Sequence, residues 1–292
     1  MSNILSIQNI NKKFSGKTVL KNINLQIYSH SIIALVGANG AGKTTLINII
    51  LGLITSDSGK ITFLNTQHWK QITGVMMQDN LALNRIKVKE IINLSRSYFK
   101  HPLSYQKLLS LSGLNDLENN YMNQLSGGQK RRLSFALSLS GNPEILFLDE
   151  PTVGMDSNAR HDFWQEISKL RQNGKTIFVT SHYLEELENI ADRFLILQNG
   201  SIAFDGSIQS LRNIQGNSLV EFDSELNIKT FTSIQNIISI EQLGQHFQIV
   251  TNDPNDLIIA ITPYLTAITN LQIKQTNLDT MLLNYREEHN HD

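Results

Sequence analysis

The chain reads as an α/β protein: a large domain on a mainly parallel sheet with helices on both faces, followed by a small C-terminal α+β domain. Three observations predict this. Short apolar runs alternate with stretches of helical spacing, a pattern that places successive strands parallel with crossover helices between them. One such run, Ile32-Ile33-Ala34-Leu35-Val36, opens directly onto a glycine-rich loop and then a helix. Near Gln215-Gly216-Asn217 the composition shifts, and strand-like segments without catalytic motifs follow. The predicted domains are therefore residues 1–215, with a helical insert at about 85–140, and residues 216–292.

Taken in order, Ile4, Ser6, Gln8 and Ile10 fall on one face of a first strand, and Leu20, Ile23, Leu25 and Ile27 mark a second. The unalternating run 32–36 suits a strand buried on both faces. Residues 44–51 continue as a helix that Gly52 ends. Residues 60–64 and 75–77 are short strands. From 88 to 112 the spacing is helical (Ile91, Ile92, Leu94, then Leu108, Leu109, Leu111), and a further helix starts at Gly127-Gly128. Residues 145–148 and 176–180 are strands, and 157–171 and 183–190 helices. Residues 194–197 and 202–204 form a hairpin around Asn199-Gly200. Beyond residue 216, strands are expected at 219–222, 230–231, 237–240 and 247–250, and helices at 254–264 and 278–287.

Composition narrows the chemistry. The 292 residues include 40% apolar and 17% charged side chains, as in ordinary folded domains, and can bury a sizeable core. A net charge of -1 gives no electrostatic reason to expect a nucleic-acid partner. There are no cysteines, which excludes disulfides, thiolate–zinc sites and cysteine nucleophiles. Residues 1–8 lack the basic stretch and apolar run of a signal peptide. No segment approaches the roughly 18–20 apolar residues that span a bilayer. Any membrane connection is therefore expected through a partner.

Gly37-Ala38-Asn39-Gly40-Ala41-Gly42-Lys43-Thr44-Thr45 fits G-x-x-x-x-G-K-[ST] between a strand and a helix. Its glycines let backbone amides turn inward around phosphates, and the helix start adds a favourable field. Lys43 is expected to reach the β and γ phosphates of a nucleotide, and the Thr44 hydroxyl to meet Mg²⁺. Asp149 and Glu150 end an apolar strand at its carboxyl end, where open α/β sheets bind ligands. Asp149 is expected to orient Mg²⁺ and Glu150 to polarise an attacking water, since phosphoryl transfer depends mainly on positioning and charge stabilisation. In Leu125-Ser126-Gly127-Gly128-Gln129, Ser126 can donate to a phosphate oxygen, and the glycines expose amides at a helix start. By itself Ser-Gly-Gly would read as a flexible turn.

Together the phosphate loop, LSGGQ and the Asp149-Glu150 strand resemble the ATP-binding subunit of an ABC transporter over most of the first 210 residues. The resemblance implies a P-loop nucleotide-binding domain with antiparallel N-terminal strands and a helical subdomain, hydrolysing ATP with Mg²⁺. It implies that Ser126, Gly127, Gly128 and Gln129 contact the ATP held by a second copy of the subunit, in an expected homodimer. It further makes Gln78 a Mg²⁺ ligand, His182 a γ-phosphate contact and Asp156 part of a loop crossing the dimer interface. Phe14 takes the place of an adenine-stacking aromatic, with a core phenylalanine as the competing reading. Departures are small: Phe14 stands where Tyr is common, and Lys130-Arg131-Arg132 follows the signature.

The stretch 148–156, followed by Arg160 and Phe163-Trp164, and the ending Asn277-Leu278-Asp279-Thr280-Met281-Leu282-Leu283 are similar to ATPase subunits of bacterial drug, antibiotic-peptide and bacteriocin exporters. That similarity implies a separate membrane permease and a place on the cytoplasmic face of the membrane. A docking surface is expected from Asp79-Asn80-Leu81-Ala82-Leu83 into the helical insert. The alternatives are non-transport ABC ATPases, acting in cofactor assembly or on nucleic-acid complexes. The latter usually carry two cassettes, a long coiled coil or zinc-binding cysteines, and this chain has none of these.

Overall fold

Bulges, rather than strict alternation, set the first strands. In the computed structural model, which describes residues 2–64, 68–78, 83–181, 186–214 and 218–275, β1 (Asn3–Phe14) buries Leu5, Ile7 and Ile10. This corrects the expected face of Ile4, Ser6, Gln8 and Ile10, because Gln8 is exposed and Ile4 only partly buried. Asn9 adopts a left-handed φ of 51°, and the register slips between Ile7 and Ile10. A bulge of this kind moves later residues to the opposite face. β2 (Lys17–Tyr28) carries a matching left-handed residue at Asn22, and its Leu20, Ile23, Leu25 and Ile27 are all buried.

The chain divides into two compact units, Met1–Ser207 and Ile208–Asp292. In the first, β3 (Ile32–Val36) leads through the glycine loop into α1 (Lys43–Ile50), and β4 (Ser58–Phe63) returns to pair with β1. The antiparallel order is β2-β1-β4. Next come β5 (Thr73–Met76) and the helices α2 (Val88–Ser97), α3 (Tyr105–Ser112) and α4 (Gly127–Ser138). The helical spacing of 88–112 is thus interrupted near Pro102, a residue that removes a helix hydrogen bond, and Arg96 Nε donates to Leu103 O at 2.8 Å. The unit continues with β6 (Ile145–Asp149), α5 (Ser157–Gln172), β7 (Thr176–Ser181), β8 (Arg193–Gln198) and β9 (Ser201–Gly206).

Among the described residues these strands form a six-stranded sheet in the order β5-β6-β7-β3-β8-β9, parallel except for the β8–β9 hairpin. β3, β6 and β7 are buried along their whole length, as strands covered on both faces must be. The carboxyl ends of β5, β6, β7 and β3 therefore lie side by side at one edge of the sheet. α4 presses close to that sheet: a Cβ on Gly74 of β5 would come within 2.2 Å of Ser138 O. Within the expected helix at 183–190, residues 186–190 are turns and 183–185 lie outside the described residues.

The second unit opens with α6 (Ile208–Ile214), which the sequence reading did not anticipate. β10 (Ser218–Ser224), β11 (Ile237–Leu243), β12 (His246–Thr251), α7 (Pro254–Ile261) and β13 (Ile268–Gln275) follow. The antiparallel order is β11-β12-β10-β13. Phe222, Phe231, Phe247, Leu257 and Ile261 meet in its core. Residues 230–231 are not a strand: the 3₁₀ turn Ile228–Thr230, capped by Asn227, drops Phe231 among the other rings. The helix at 254–264 stops at Ile261, and the 3₁₀ segment Thr262–Ala267, with Pro263 in its first turn, takes over. The helix expected at 278–287 lies outside the described residues, as do the ending at 277–283 and residues 215–217. Among the described residues no helix is long and apolar enough to cross a membrane.

Candidate active site

The glycine loop connects β3 to α1, and its tight path explains its composition. Gly42 caps the helix with φ 108°, and a Cβ there would meet Leu20 Cδ2 at 2.9 Å. Side chains rarely adopt that backbone conformation, so glycine is required. Ala38, Asn39 and Gly40 form an exposed crest, whereas Lys43 is only 6% exposed. Lys43 Nζ donates to the carbonyl oxygens of Gly37 at 2.9 Å and Ala38 at 3.3 Å. It also lies 3.3 Å from Glu150 Oε1 in an ion pair buried on both sides.

Parallel pairing then fixes the acids. Asp149 sits opposite Thr180 at the ends of β6 and β7. Asp149 is fully buried, and both of its oxygens are held: Oδ2 accepts from Thr44 Oγ1 at 2.7 Å and Oδ1 from Thr180 Oγ1 at 2.5 Å. Glu150 follows the strand with a left-handed φ of 50°. A non-glycine residue held in that region costs about 1–3 kcal/mol and persists only where its surroundings fix it. Here the Glu150 N–H donates to Thr180 Oγ1 at 2.9 Å, and Glu150 O accepts from Arg131 Nη2.

Phe14, Val19, Asn39, Gly40, Gly42, Lys43, Thr44, Thr45, Gln78 and Glu150 line one cleft of about 360 Å³. Phe14 is 44% exposed there, with Lys12 Nζ 5.1 Å from its ring centre, so it is not a core residue. Gly37 and Ala41 belong to the same loop. Grooves of about 430 and 920 Å³ elsewhere in this unit are roomier but contain none of the expected site residues. The chemistry therefore locates the site better than volume does.

The signature residues lie outside this cleft. Ser126 caps α4: its Oγ accepts from Gln129 N at 3.3 Å, and Gln129 Oε1 accepts from Ser126 N at 2.8 Å, a capping box. Ser126 and Gly127 are exposed and Gly128 half-buried, which leaves the start of the helix facing outward. Asp156 likewise caps α5, with Oδ1 accepting from Ala159 N at 2.9 Å. His182 lies outside the described residues.

Three residues support the site without having been predicted to. Thr180 joins both acids, and Arg131 gathers carbonyls behind them. Glu186 accepts from Thr152 Oγ1 at 2.8 Å, Arg160 Nη1 at 2.8 Å and Trp164 Nε1 at 3.1 Å. For Arg131 a sequence signal existed, since Phe135 and Ser138 follow at i+4 and i+7 on one helix face.

A buried carboxylate next to a hydroxyl, beside a glycine-rich loop that opens into a helix, suits a hard cation and a phosphate chain. Asp149, Thr44 and the exposed Gln78 offer oxygen donors of the type Mg²⁺ takes alongside water and phosphate.

The fold and this cleft define an ATP-binding cassette. A family model described as "ABC transporter" matches residues 20–153. Nod factor export ATP-binding protein I of Rhizobium johnstonii is 31% identical over 96% of this chain and 93% of that protein. Linearmycin resistance ATP-binding protein LnrL of Bacillus subtilis is 28% identical over 96% and 97%. A solved ATP-binding subunit of an ABC transporter superposes with a TM-score of 0.66 at 22% identity, covering 73% of this chain and 93% of that one. A dimeric cassette in a post-hydrolysis state with ADP and Pi gives 0.64 at 25% identity, covering 70% and 99%. The chain belongs to the ABC transporter family, as an ATP-hydrolysing cassette.

Proposed function

We propose that this chain powers export through a separately encoded membrane permease, as one of two identical ATPase subunits on the cytoplasmic face of the membrane. The observation that carries this reading is similarity along almost the whole chain, 96% of it, to proteins named for Nod factor export and linearmycin resistance. The cargo belongs to the missing membrane subunits. The ATPase domain is assigned to residues 1–215 and an accessory domain to 216–292, the latter a packing or dimer-stabilising module.

Within the cleft, Phe14 stacks on adenine, and the amides of Gly37, Asn39, Gly40, Ala41, Gly42, Thr44 and Thr45 surround the phosphates. Lys43 neutralises the β and γ oxygens. Thr44, Gln78 and Asp149 would hold Mg²⁺, which neutralises charge on the β and γ phosphates when bound. Glu150 takes the proton of the attacking water, and His182 contacts the γ-phosphate. Ser126, Gly127, Gly128 and Gln129 meet the ATP of the second chain, and Asp156 lies in the crossing loop. ATP favours the closed dimer and hydrolysis removes that bias, a population shift between two states.

The test is co-expression with a multi-span membrane protein, sought among the neighbouring reading frames. Co-purification, transport that needs ATP, and crosslinks from positions 80–92 to the permease are expected. Crosslinking confined to residues 218–275, or hydrolysis stimulated by nucleic acid instead, would overturn the reading.

A further inference from the structure

The guanidinium of Arg131 is among the most deeply buried polar groups of the first unit, at 1% exposure. A buried guanidinium is costly unless acceptors surround it. Here the acceptors are main-chain carbonyls from two separate segments, Met77–Gln78 and Asp149–Pro151. Nη1 donates to Met77 O at 2.9 Å and Gln78 O at 2.7 Å, in the stretch that follows β5. Nη2 donates to Asp149 O at 3.0 Å and to Glu150 O, at the end of β6. Nε donates to Pro151 O at 3.3 Å, at the start of the turn that leads to α5.

We propose that Arg131 is a positioning residue for hydrolysis: from α4 it fixes the backbone of Gln78, Asp149, Glu150 and Pro151 in one arrangement, and so aims the Glu150 carboxylate. The inference rests on the role given to Glu150 under Proposed function. Two observations besides burial carry it. Glu150 is held in a left-handed conformation, and its carbonyl is bonded to Arg131 while its N–H is bonded to Thr180. Strained backbone of this kind needs fixing from outside the residue. Moreover, Arg131 lies two residues beyond Gln129 on α4, so the helix whose exposed start carries Ser126 and Gly127 is tied to the acids of its own chain. A shift of α4 would be felt at Glu150, and one at Gln78 would be felt at α4.

The planar fork of arginine accounts for the choice of residue. It presents N–H groups in several fixed directions, whereas the single ammonium of lysine is a point donor that cannot serve five carbonyls of two segments together. Lysine should therefore fail to replace it although the charge is kept. The phosphate loop makes none of these bonds, so ATP affinity should be almost independent of Arg131.

The experiment compares wild type, R131M, R131K and E150Q as full-length protein. It measures kcat for ATP and the Kd of a fluorescent ATP analogue, with rates normalised to the fraction of protein that binds nucleotide. Misplacing a reacting group by about 1 Å can cost on the order of 100-fold. R131M and R131K should lose about 10- to 100-fold in kcat, with Kd within about threefold of wild type. Wild-type kcat in R131M would overturn the proposal, as would a loss of affinity that parallels the loss of rate, because that would mark general loosening. E150Q separates the two readings. If it hydrolyses ATP at the wild-type rate, the role of Glu150 fails; if E150Q is inactive while R131M is fully active, only the inference about Arg131 fails.

Discussion

Two polar networks in this protein use similar hydrogen bonds in opposite settings. At the ends of β6 and β7, Asp149, Glu150, Thr180 and Arg131 are buried, and their bonds run between side chains and backbone. On one face of the C-terminal sheet, Lys274 and Gln248 donate to Glu221, while Asn270 and His246 bond Asp223 at 2.7 Å each. Glu221 is itself buried, at 8% exposure, but its partner is open to water, with the Lys274 side chain 55% exposed. Solvent can replace a partner in the second network and cannot in the first. Burial of every partner therefore turns the first network into a positioning device, whereas in the second solvent reaches Lys274, Asn270 and His246 in their register-specific pairs.

Removing one hydroxyl tests the difference at its largest. Thr180→Val keeps the shape but orphans Asp149 Oδ1 and the Glu150 N–H, both buried. Each unpaired buried group costs about 1–3 kcal/mol, so chemical denaturation should show a clear loss of stability, together with slower hydrolysis. A loss below about 0.5 kcal/mol would place this pair with ordinary surface contacts. The counterpart on the C-terminal sheet, Lys274→Met, should cost under about 1 kcal/mol, as for exposed ion pairs. Its signature is in pH dependence. The Lys274 ammonium, assisted by Gln248, holds the Glu221 carboxyl below its usual range, and Asn270 and His246 do the same for Asp223. A carboxyl whose folded pKa is depressed contributes stability above its unfolded pKa and loses it as pH falls through the folded pKa. K274M should therefore shift the Glu221 titration, followed by NMR on the full chain, towards the ordinary glutamate range. An unchanged titration would remove Lys274 as the cause.

Legibility in the sequence followed the same division. The glycine loop, the apolar run ending in Asp149-Glu150 and the signature helix were visible because each is local: a spacing, a run or a cap. The structure brings Phe14, the loop, Gln78 and Glu150 into one cleft, although they span more than 130 positions of sequence. Arg131 and Thr180 were not legible as positioning residues because their partners come from other segments and are mostly backbone atoms, which leave no residue-type signal. The same holds for β1, where an asparagine bulge moved the core face from the one that simple alternation gave. In the C-terminal unit the aromatic core was clear only in part: residues 230–231 were expected as strand, yet a 3₁₀ turn delivers Phe231 to the core.

The most direct test of the whole account is the Glu150→Gln variant, assayed for ATP binding and for single-turnover hydrolysis in parallel. The amide keeps size and hydrogen bonding but cannot accept the proton of the attacking water. ATP affinity should remain within about threefold of wild type, while hydrolysis falls by about 10²- to 10⁴-fold, the span of a general base. Hydrolysis at the wild-type rate would contradict the account, since the buried contacts that hold Glu150 would then serve some end other than catalysis.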